Sequence, residues 1–426
     1  MAIVIANMIG TGAFTSLGFQ LRELNQPAVV LTLWVAGGLL ALSGAFSYAE
    51  VSSQINRSGG EYTFLSRLYH PVVGYLSGWI SLTVGFAAPI ALSAIACSEY
   101  FPYGPTNRPW MGVLLLASIT FVHTRSLPVS AGFQNTSTLL KVALVVVLVA
   151  IGLVLPGSSG NPFSIGADFF PELGSAAFAV ALIYVSYSYS GWNAATYITE
   201  EFERPAKSVP VALIGGTFLV TVLYTLLQYV FLRHVPVQDL TGELNVGTLA
   251  ARRMLGDMAG DLFGLAISLL LISGISAMVW VGSRVTSSIA REHPLWRYFR
   301  AGPDGIPKRA LWLQFAVSTA LLLTGTFEQI LIYCGVLLSV STMLTVFGVF
   351  LLRRRNPAAA DRQAFRSPLF PLFQVLYLLL SLWMVVFAFR QNTWESVLGM
   401  GNLLVGLASY HWSRRLPGAA ESRPLP

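Results

Sequence analysis

The sequence predicts an all-α integral membrane protein with twelve transmembrane helices, the first and sixth unwound at mid-membrane. Three observations predict it. Of 426 residues, 54% are hydrophobic and 11% charged, against roughly 25% charged in a soluble globular domain. Apolar runs of about 20 residues, the length that crosses a bilayer, recur along the whole chain. Two of those runs carry helix-weakening residues at their centres.

The spans are expected at roughly 2–21, 28–53, 71–98, 109–123, 130–155, 172–199, 208–232, 260–288, 309–325, 329–352, 368–390 and 393–412. Turn signals separate them, among them PGSSGNP at 156–162, FERPAKSVP at 202–210 and GPDGIP at 302–307. The stretch 233–259 is polar enough for a surface helix. Met1 lies almost at the first span, without the charged flank of a signal peptide. Because so little chain precedes Gly10, the natural N-terminus is expected to be longer.

Orientation follows from charge. With the N-terminus placed inside, 19 of the 26 lysines and arginines fall on the cytoplasmic side and six outside, and Lys141 lies within a span. That asymmetry puts both termini in the cytoplasm of a multi-pass protein. It also accounts for the net charge of +7, so a nucleic-acid partner is not implied. Cys97 and Cys334 sit in apolar surroundings and the five histidines are scattered, so neither a disulfide framework nor a metal cluster is implied. No nucleophile–base pair and no phosphate loop is present, so neither an enzyme nor a cofactor is implied.

In the first span, IANMIGTGAFTS (5–16) places Gly10 and Gly12 where a helix should run. Glycine costs about 1 kcal/mol against alanine in a helix interior. Taken alone, such glycines serve close helix packing or a break equally well. The sixth span carries Ser190-Gly191 at the matching place in ALIYVSYSYSGWNAATYITEE (181–201). Interrupted spans at corresponding positions of two halves point to a transporter's binding site. A half-helix starting at the break offers N–H groups to an anion, and one ending there offers carbonyls to a cation. Together they suit a zwitterion. Lys141 lies about 11 residues into the fifth span, roughly 16 Å deep at 1.5 Å per residue. An isolated charge there costs at least ~3 kcal/mol, and a buried ammonium is able to replace a bound metal cation or to exchange a proton.

These residues resemble the amino acid–polyamine–organocation superfamily, in particular its L-type amino acid transporter branch and bacterial relatives. The resemblance rests on IGTGAF (9–14), FSYAEVSSQINRSGGEYTFL (46–65), YSYSGWNAATYITEEFERPAKSVPVAL (187–213), GSRVTSSIAREHPLWRYF with GIPKRAL, and YCGVLLSVSTMLTVFGVFLLRRRNP (333–357). It implies a LeuT-type fold of two inverted five-helix repeats, 1–155 and 172–352, then two helices within 368–412 and a cytoplasmic tail at 413–426. It implies a substrate carboxylate on Gly10, Thr11 and Gly12. The amine would meet carbonyls of Met8 or Ile9 and of Tyr187, Ser188 and Ser190. Tyr187 falls where relatives place an aromatic gate, Asn193 beside the substrate, and Lys141 where relatives that work without sodium hold an ammonium.

Two departures stand out. Relatives that pair with a glycoprotein heavy chain carry a cysteine between the third and fourth spans. Here that loop has Gly104, so no disulfide-linked heavy chain is expected. Ser190 replaces a usual glycine, which narrows the pocket.

Glu50 and Glu200, at the cytoplasmic ends of spans two and six, are read either as gates or as solvated carboxylates pairing with Arg57 or Arg204; Glu201 is read as the latter. Trp192 and Tyr333 are candidates for the pocket wall or for packing and interface anchors, Ser273 and Ser276 for the face toward the first span or for helix-to-helix hydrogen bonding, and His123 for the membrane interface. The expected function is secondary transport of neutral L-amino acids across the plasma membrane, by sodium-independent exchange or with protons. A cationic amino acid or polyamine carrier is the alternative, disfavoured because a dicationic substrate wants acidic side chains in the pocket and none is seen near the two breaks. A channel or nutrient sensor on the same scaffold is the remote one.

Overall fold

The computed structural model describes residues 1–102, 109–125, 131–355 and 364–416, with the backbone alone at 131–135. Gly104 and residues 417–426 of the expected tail lie outside the described residues. Among the described residues all regular elements are helical.

The first predicted span comprises α1 (Ala2–Met8), α2 (Gly12–Thr15) and α3 (Leu17–Glu23), with a 49° bend before Leu17. Next come α4 (Pro27–Ile55), the short α5 (Gly60–Leu68), α6 (Pro71–Ile80) and α7 (Ala87–Tyr100). One π turn, Ser81–Gly85, joins α6 to α7. Then follow α8 (Pro109–Arg125) and α9 (Ala131–Val154). The sixth predicted span runs from α10 (Phe169–Leu173) through α11 (Ala176–Ser188) and an irregular stretch to a 3-10 helix, Ala194–Glu201. Beyond it lie α12 (Pro205–His234), the short α13 (Val237–Leu240) and α14 (Val246–Leu255), and α15 (Asp257–Glu292). A 3-10 turn, Pro294–Phe299, leads to α16 (Lys308–Thr324), α17 (Phe327–Arg355), α18 (Leu372–Gln391) and α19 (Thr393–Arg415).

Among the described residues seven helical stretches, one of them running unbroken from α6 through the π turn to the end of α7, are long and apolar enough to cross a membrane, or eight if the bent first pair counts as one. The other predicted spans fall short for local reasons. Helices α8 and α16 have 17 residues each, and α11 stops after 13 at the irregular stretch. In α19, polar residues such as Glu395, Asn402 and His411 interrupt the apolar run.

Helix α4 packs along α12 and against α11, α17 and α18. Small residues permit the closest approaches: a Cβ at Gly38 would lie within 3.0 Å of the Thr221 side chain. Glu50, fully buried in α4, accepts from Arg353 of α17 through Nε at 2.7 Å and Nη2 at 2.8 Å, and from the Ser367 N–H at 2.8 Å. The buried acid thus joins α4, α17 and the segment leading to α18. His123, expected at the membrane interface, is buried, with Nε2 2.8 Å from the Ser276 hydroxyl, so Ser276 takes the helix-to-helix hydrogen bond that was its alternative reading.

His293 follows α15, its ring 4.5 Å from that of Tyr75. Burial, and then the positive charge of Arg414, push its pKa down to about 4. The unfolded chain therefore binds the extra proton first. Stability is full above the ordinary value near 6.5 and falls as pH drops from there to about 4. Wild type should lose more thermal stability between pH 7 and pH 5 than His293→Phe; equal losses would contradict this.

Candidate functional site

The first and sixth predicted spans are both interrupted. In the first interruption the Ile9 N–H still bonds the Ile5 carbonyl at 3.0 Å, and helix resumes with Phe14 and Thr15 bonding the Thr11 carbonyl. The Thr15 and Ser16 hydroxyls bond back to the carbonyls of Thr11 and Gly12, at 2.9 and 2.7 Å, an arrangement that bends helices. Carbonyls released by the break and bend find side chains. Met8 C=O accepts from Tyr224 at 2.6 Å, Ala13 C=O from Gln228 at 2.8 Å, and Phe14 C=O from Tyr100 at 2.7 Å.

In the second interruption α11 tightens as the Ser190 N–H bonds the Tyr187 carbonyl at 2.8 Å. Gly191 then takes φ +94°, a left-handed value that suits glycine. The chain re-enters a helical turn with the Ala194 N–H on the Gly191 carbonyl.

The two interruptions touch. A Cβ on Gly12 would lie 2.6 Å from Cα of Ser188, and one on Gly191 would lie 2.8 Å from the Asn7 carbonyl. The Ser16 and Ser188 hydroxyls are 3.0 Å apart. Gly12 therefore combines both sequence readings, since it marks the break and lets the helices cross.

A cavity of about 260 Å³ lies at this crossing. Met8, Ile9, Gly10, Thr11, Gly12, Tyr187, Ser188, Ser190, Asn193 and Lys141 all line it, together with Trp192, Phe86 of the bundle's third predicted span and Tyr377 of α18. It extends past Ile3 and the exposed Asn7 toward the face that carries Met1, where Val281 of α15 is 38% exposed. On the opposite side, Arg22 meets Glu328 at 2.9 Å, Tyr184 donates to Glu328 at 2.7 Å, and Phe19 stacks on Phe327 at 5.6 Å. Those contacts join α3 and α11 to α17 and cover the far end.

Lys141 is 7% exposed and also reaches a small space beside Ile9, Gly10 and Phe14. Glu50 and Glu200 stand apart from the cavity. Glu50 is held by Arg353, not Arg57, while Glu200 is exposed with its N–H on the Ser58 hydroxyl at 3.0 Å. Tyr333 does not line the cavity.

The expectation of no acidic group near the breaks is overturned by Glu61. It lines the cavity at 5% exposure. Its Oε1 accepts from the Tyr48 hydroxyl at 2.9 Å and from Asn193 Nδ2 at 2.5 Å, and its Oε2 from the Tyr197 hydroxyl at 2.7 Å. Sequence distance hides it, because Glu61 is remote from both breaks along the chain. The local signal was Gly59-Gly60, both at positive φ (111° and 54°), which turns the chain so that α5 starts inward.

Residues 1–407 match the amino acid permease family. The chain is 27% identical to the large neutral amino acids transporter small subunit 2 of Oryctolagus cuniculus, across 96% of this chain and 78% of that protein. It is 27% identical to the human b(0,+)-type amino acid transporter 1, across 96% and 85%. With the serine/threonine exchanger SteT of Bacillus subtilis it shares 22% identity, across 97% and 95%. A family match over nearly the whole chain and helices apolar enough for a bilayer lead to one conclusion: this chain belongs to the amino acid permease family of the amino acid–polyamine–organocation superfamily, a multi-pass membrane transporter of amino acids and not an enzyme.

Proposed function

We propose that the protein carries neutral L-amino acids across the plasma membrane by alternating access, through exchange or with protons and without sodium. The observation that carries this reading is the meeting of two interrupted helices in one cavity that Lys141 also lines. The substrate carboxylate would sit on the N–H groups of Gly10, Thr11 and Gly12, all of which line the cavity. The ammonium would meet the carbonyls of Ile9, Ser188 and Ser190. Those of Met8 and Tyr187 already accept one bond each, so they serve less well. Tyr187 would close over the substrate, Asn193 would flank it, and Lys141 would occupy the place of a sodium ion.

In this reading the chain forms twelve spans as two inverted repeats (1–155 and 172–352) and two further helices, with both termini cytoplasmic. The cavity then faces the cytoplasm, while Arg22–Glu328 and Phe19–Phe327 cover its outer end. Glu50 and Glu200 stand near the cytoplasmic gate. Both cysteines are buried, so neither is offered to a disulfide-linked heavy chain. Glu61 does not by itself favour a cationic substrate, because three donors already occupy its oxygens. The name of the SteT relative adds hydroxylated side chains to the neutral substrates to be tried.

Uptake of radiolabelled alanine, serine, leucine, arginine and putrescine into proteoliposomes tests the proposal, with and without a pH gradient and internal substrate. Neutral uptake that persists when sodium is replaced by choline is expected. Arginine or putrescine uptake without neutral uptake would overturn it.

Gly12→Ala should lower neutral uptake at least about tenfold, because its Cβ meets backbone of Ser188 that no rotamer change relieves. Gly401→Ala in α19, with open space at its Cβ, should retain wild-type uptake. Equal uptake by the two variants would show that the crossing tolerates separation.

A further inference from the structure

We propose that Glu61 is a positioning residue that fixes the amide of Asn193, so that its carbonyl oxygen, and not its NH2, faces the substrate. The inference rests on the reading of the cavity as the substrate site. A carboxylate only accepts hydrogen bonds, whereas an amide offers NH2 on one side and oxygen on the other. With Oε1 of Glu61 2.5 Å away, the atom of Asn193 that faces it is Nδ2. The oxygen of that amide is then turned to the remaining side, where the side chain lines the cavity.

The loop before α5 is built to hold this arrangement. Gly59 and Gly60 take positive φ, and a Cβ on Gly60 would lie 2.6 Å from the Tyr197 ring. The Thr63 hydroxyl bonds the Ser58 carbonyl at 2.8 Å, closing the turn on itself. From this turn, Glu61 reaches Asn193 and Tyr197, and the Ser58 hydroxyl accepts from the Glu200 N–H. Two residues of this turn, Ser58 and Glu61, thus hold the N-cap, the middle and the end of the 3-10 segment that leaves the second break. Tyr48 of α4 donates to the same Oε1 and so braces Glu61 from the other side.

The consequence is selectivity for a hydrogen-bond donor. An acceptor oxygen takes a donor from the α-ammonium, which every amino acid carries, or from a side-chain hydroxyl, which serine has and alanine lacks. Glu61→Gln removes the constraint, because glutamine both donates and accepts and leaves Asn193 free to turn. Asn193→Asp alone puts two carboxylates in contact. The double variant Glu61→Gln/Asn193→Asp reverses the hydrogen bond, with the introduced glutamine amide donating to the introduced acid, and restores a fixed acceptor toward the cavity.

Serine and alanine uptake by proteoliposomes holding the full chain separates these outcomes. Glu61→Gln should raise the KM of serine about tenfold, the scale of one hydrogen bond to a charged group, with little change in maximal rate. An equal rise for alanine assigns the donor to the ammonium, and a rise for serine alone assigns it to the side chain. Either result supports the proposal if Glu61→Gln has no further effect in an Asn193→Ala background and if the reversed pair regains most of the loss. Additive effects of Glu61→Gln and Asn193→Ala, or a reversed pair no better than Glu61→Gln, would overturn it and leave Glu61 a structural acid. If Asn193→Ala alone left both KM values unchanged, the substrate-site reading of Asn193 would fail instead. Melting temperatures of each purified variant identify any that do not fold. Protection of the wild type against heat by serine or alanine then gives a binding measure that does not depend on transport.

Discussion

Lys141→Ala is expected to lose at least about tenfold in neutral amino-acid uptake while remaining folded. Lys141 is 7% exposed, lines the cavity, and reaches a second small space beside Ile9 and Gly10. A charge held at that depth costs about 3 kcal/mol or more to insert, so its removal should not destabilise the helix that carries it. What it removes is a fixed positive charge next to the first interruption, where carbonyls lack helical partners. Lys141→Arg should recover little, because a planar guanidinium does not fit a space shaped for a compact ammonium. Uptake by wild type and both variants, in sodium and in choline, checks the prediction. An alanine variant that transports normally without sodium would remove Lys141 from the mechanism. One that becomes sodium-dependent would support its reading as the stand-in for a metal cation.

Glu50→Ala should be the most destabilising single change, by about 3–5 kcal/mol, the usual cost of breaking one side of a buried ion pair. Glu50 is fully buried and takes three hydrogen bonds, two from Arg353 and one from the Ser367 N–H. Its removal leaves the buried Ser367 N–H and Arg353 Nε without their acceptor, while Nη2 keeps the Ser367 carbonyl at 3.2 Å and the guanidinium stays over the Phe370 ring at 3.9 Å. A surface pair behaves differently. Arg253–Asp239 has side chains 40–53% exposed, and breaking it should cost about 0–1 kcal/mol. Replacing Glu50 and Arg353 together by methionine should recover much of the loss, since the stranded charge goes with its partner. Melting of the purified variants in detergent reads all of these directly; a Glu50→Ala variant that melts with wild type would contradict the assignment.

The helical boundaries were legible to within a few residues. The second predicted span, 28–53, corresponds to α4 at Pro27–Ile55, and the eleventh, 368–390, to α18 at Leu372–Gln391. Apolar runs bounded by proline and glycine carry that information locally. The two interruptions were legible for the same reason: Gly10, Gly12 and Gly191 weaken a helix wherever they stand. Partners were not. Glu50 was expected near Arg57 or Arg204 and is bound by Arg353, 303 residues away in sequence. His123 was expected at the interface and lies buried against Ser276. Each of these contacts joins residues more than 150 positions apart, and nothing in the local sequence favours one distant partner over another.

By itself the sequence determined that the chain is helical and lipid-facing, where its helices begin and end, and where two of them weaken. Composition and short-range periodicity decide such properties residue by residue. Only the tertiary structure decided that Gly12 and Gly191 are the points where the interrupted helices cross, that Tyr224 already occupies the Met8 carbonyl, and that Glu61 lines the cavity. Those outcomes depend on which helix faces lie together. Hydrogen-bond donors and acceptors released by a break are satisfied by whichever side chains that packing brings within about 3 Å.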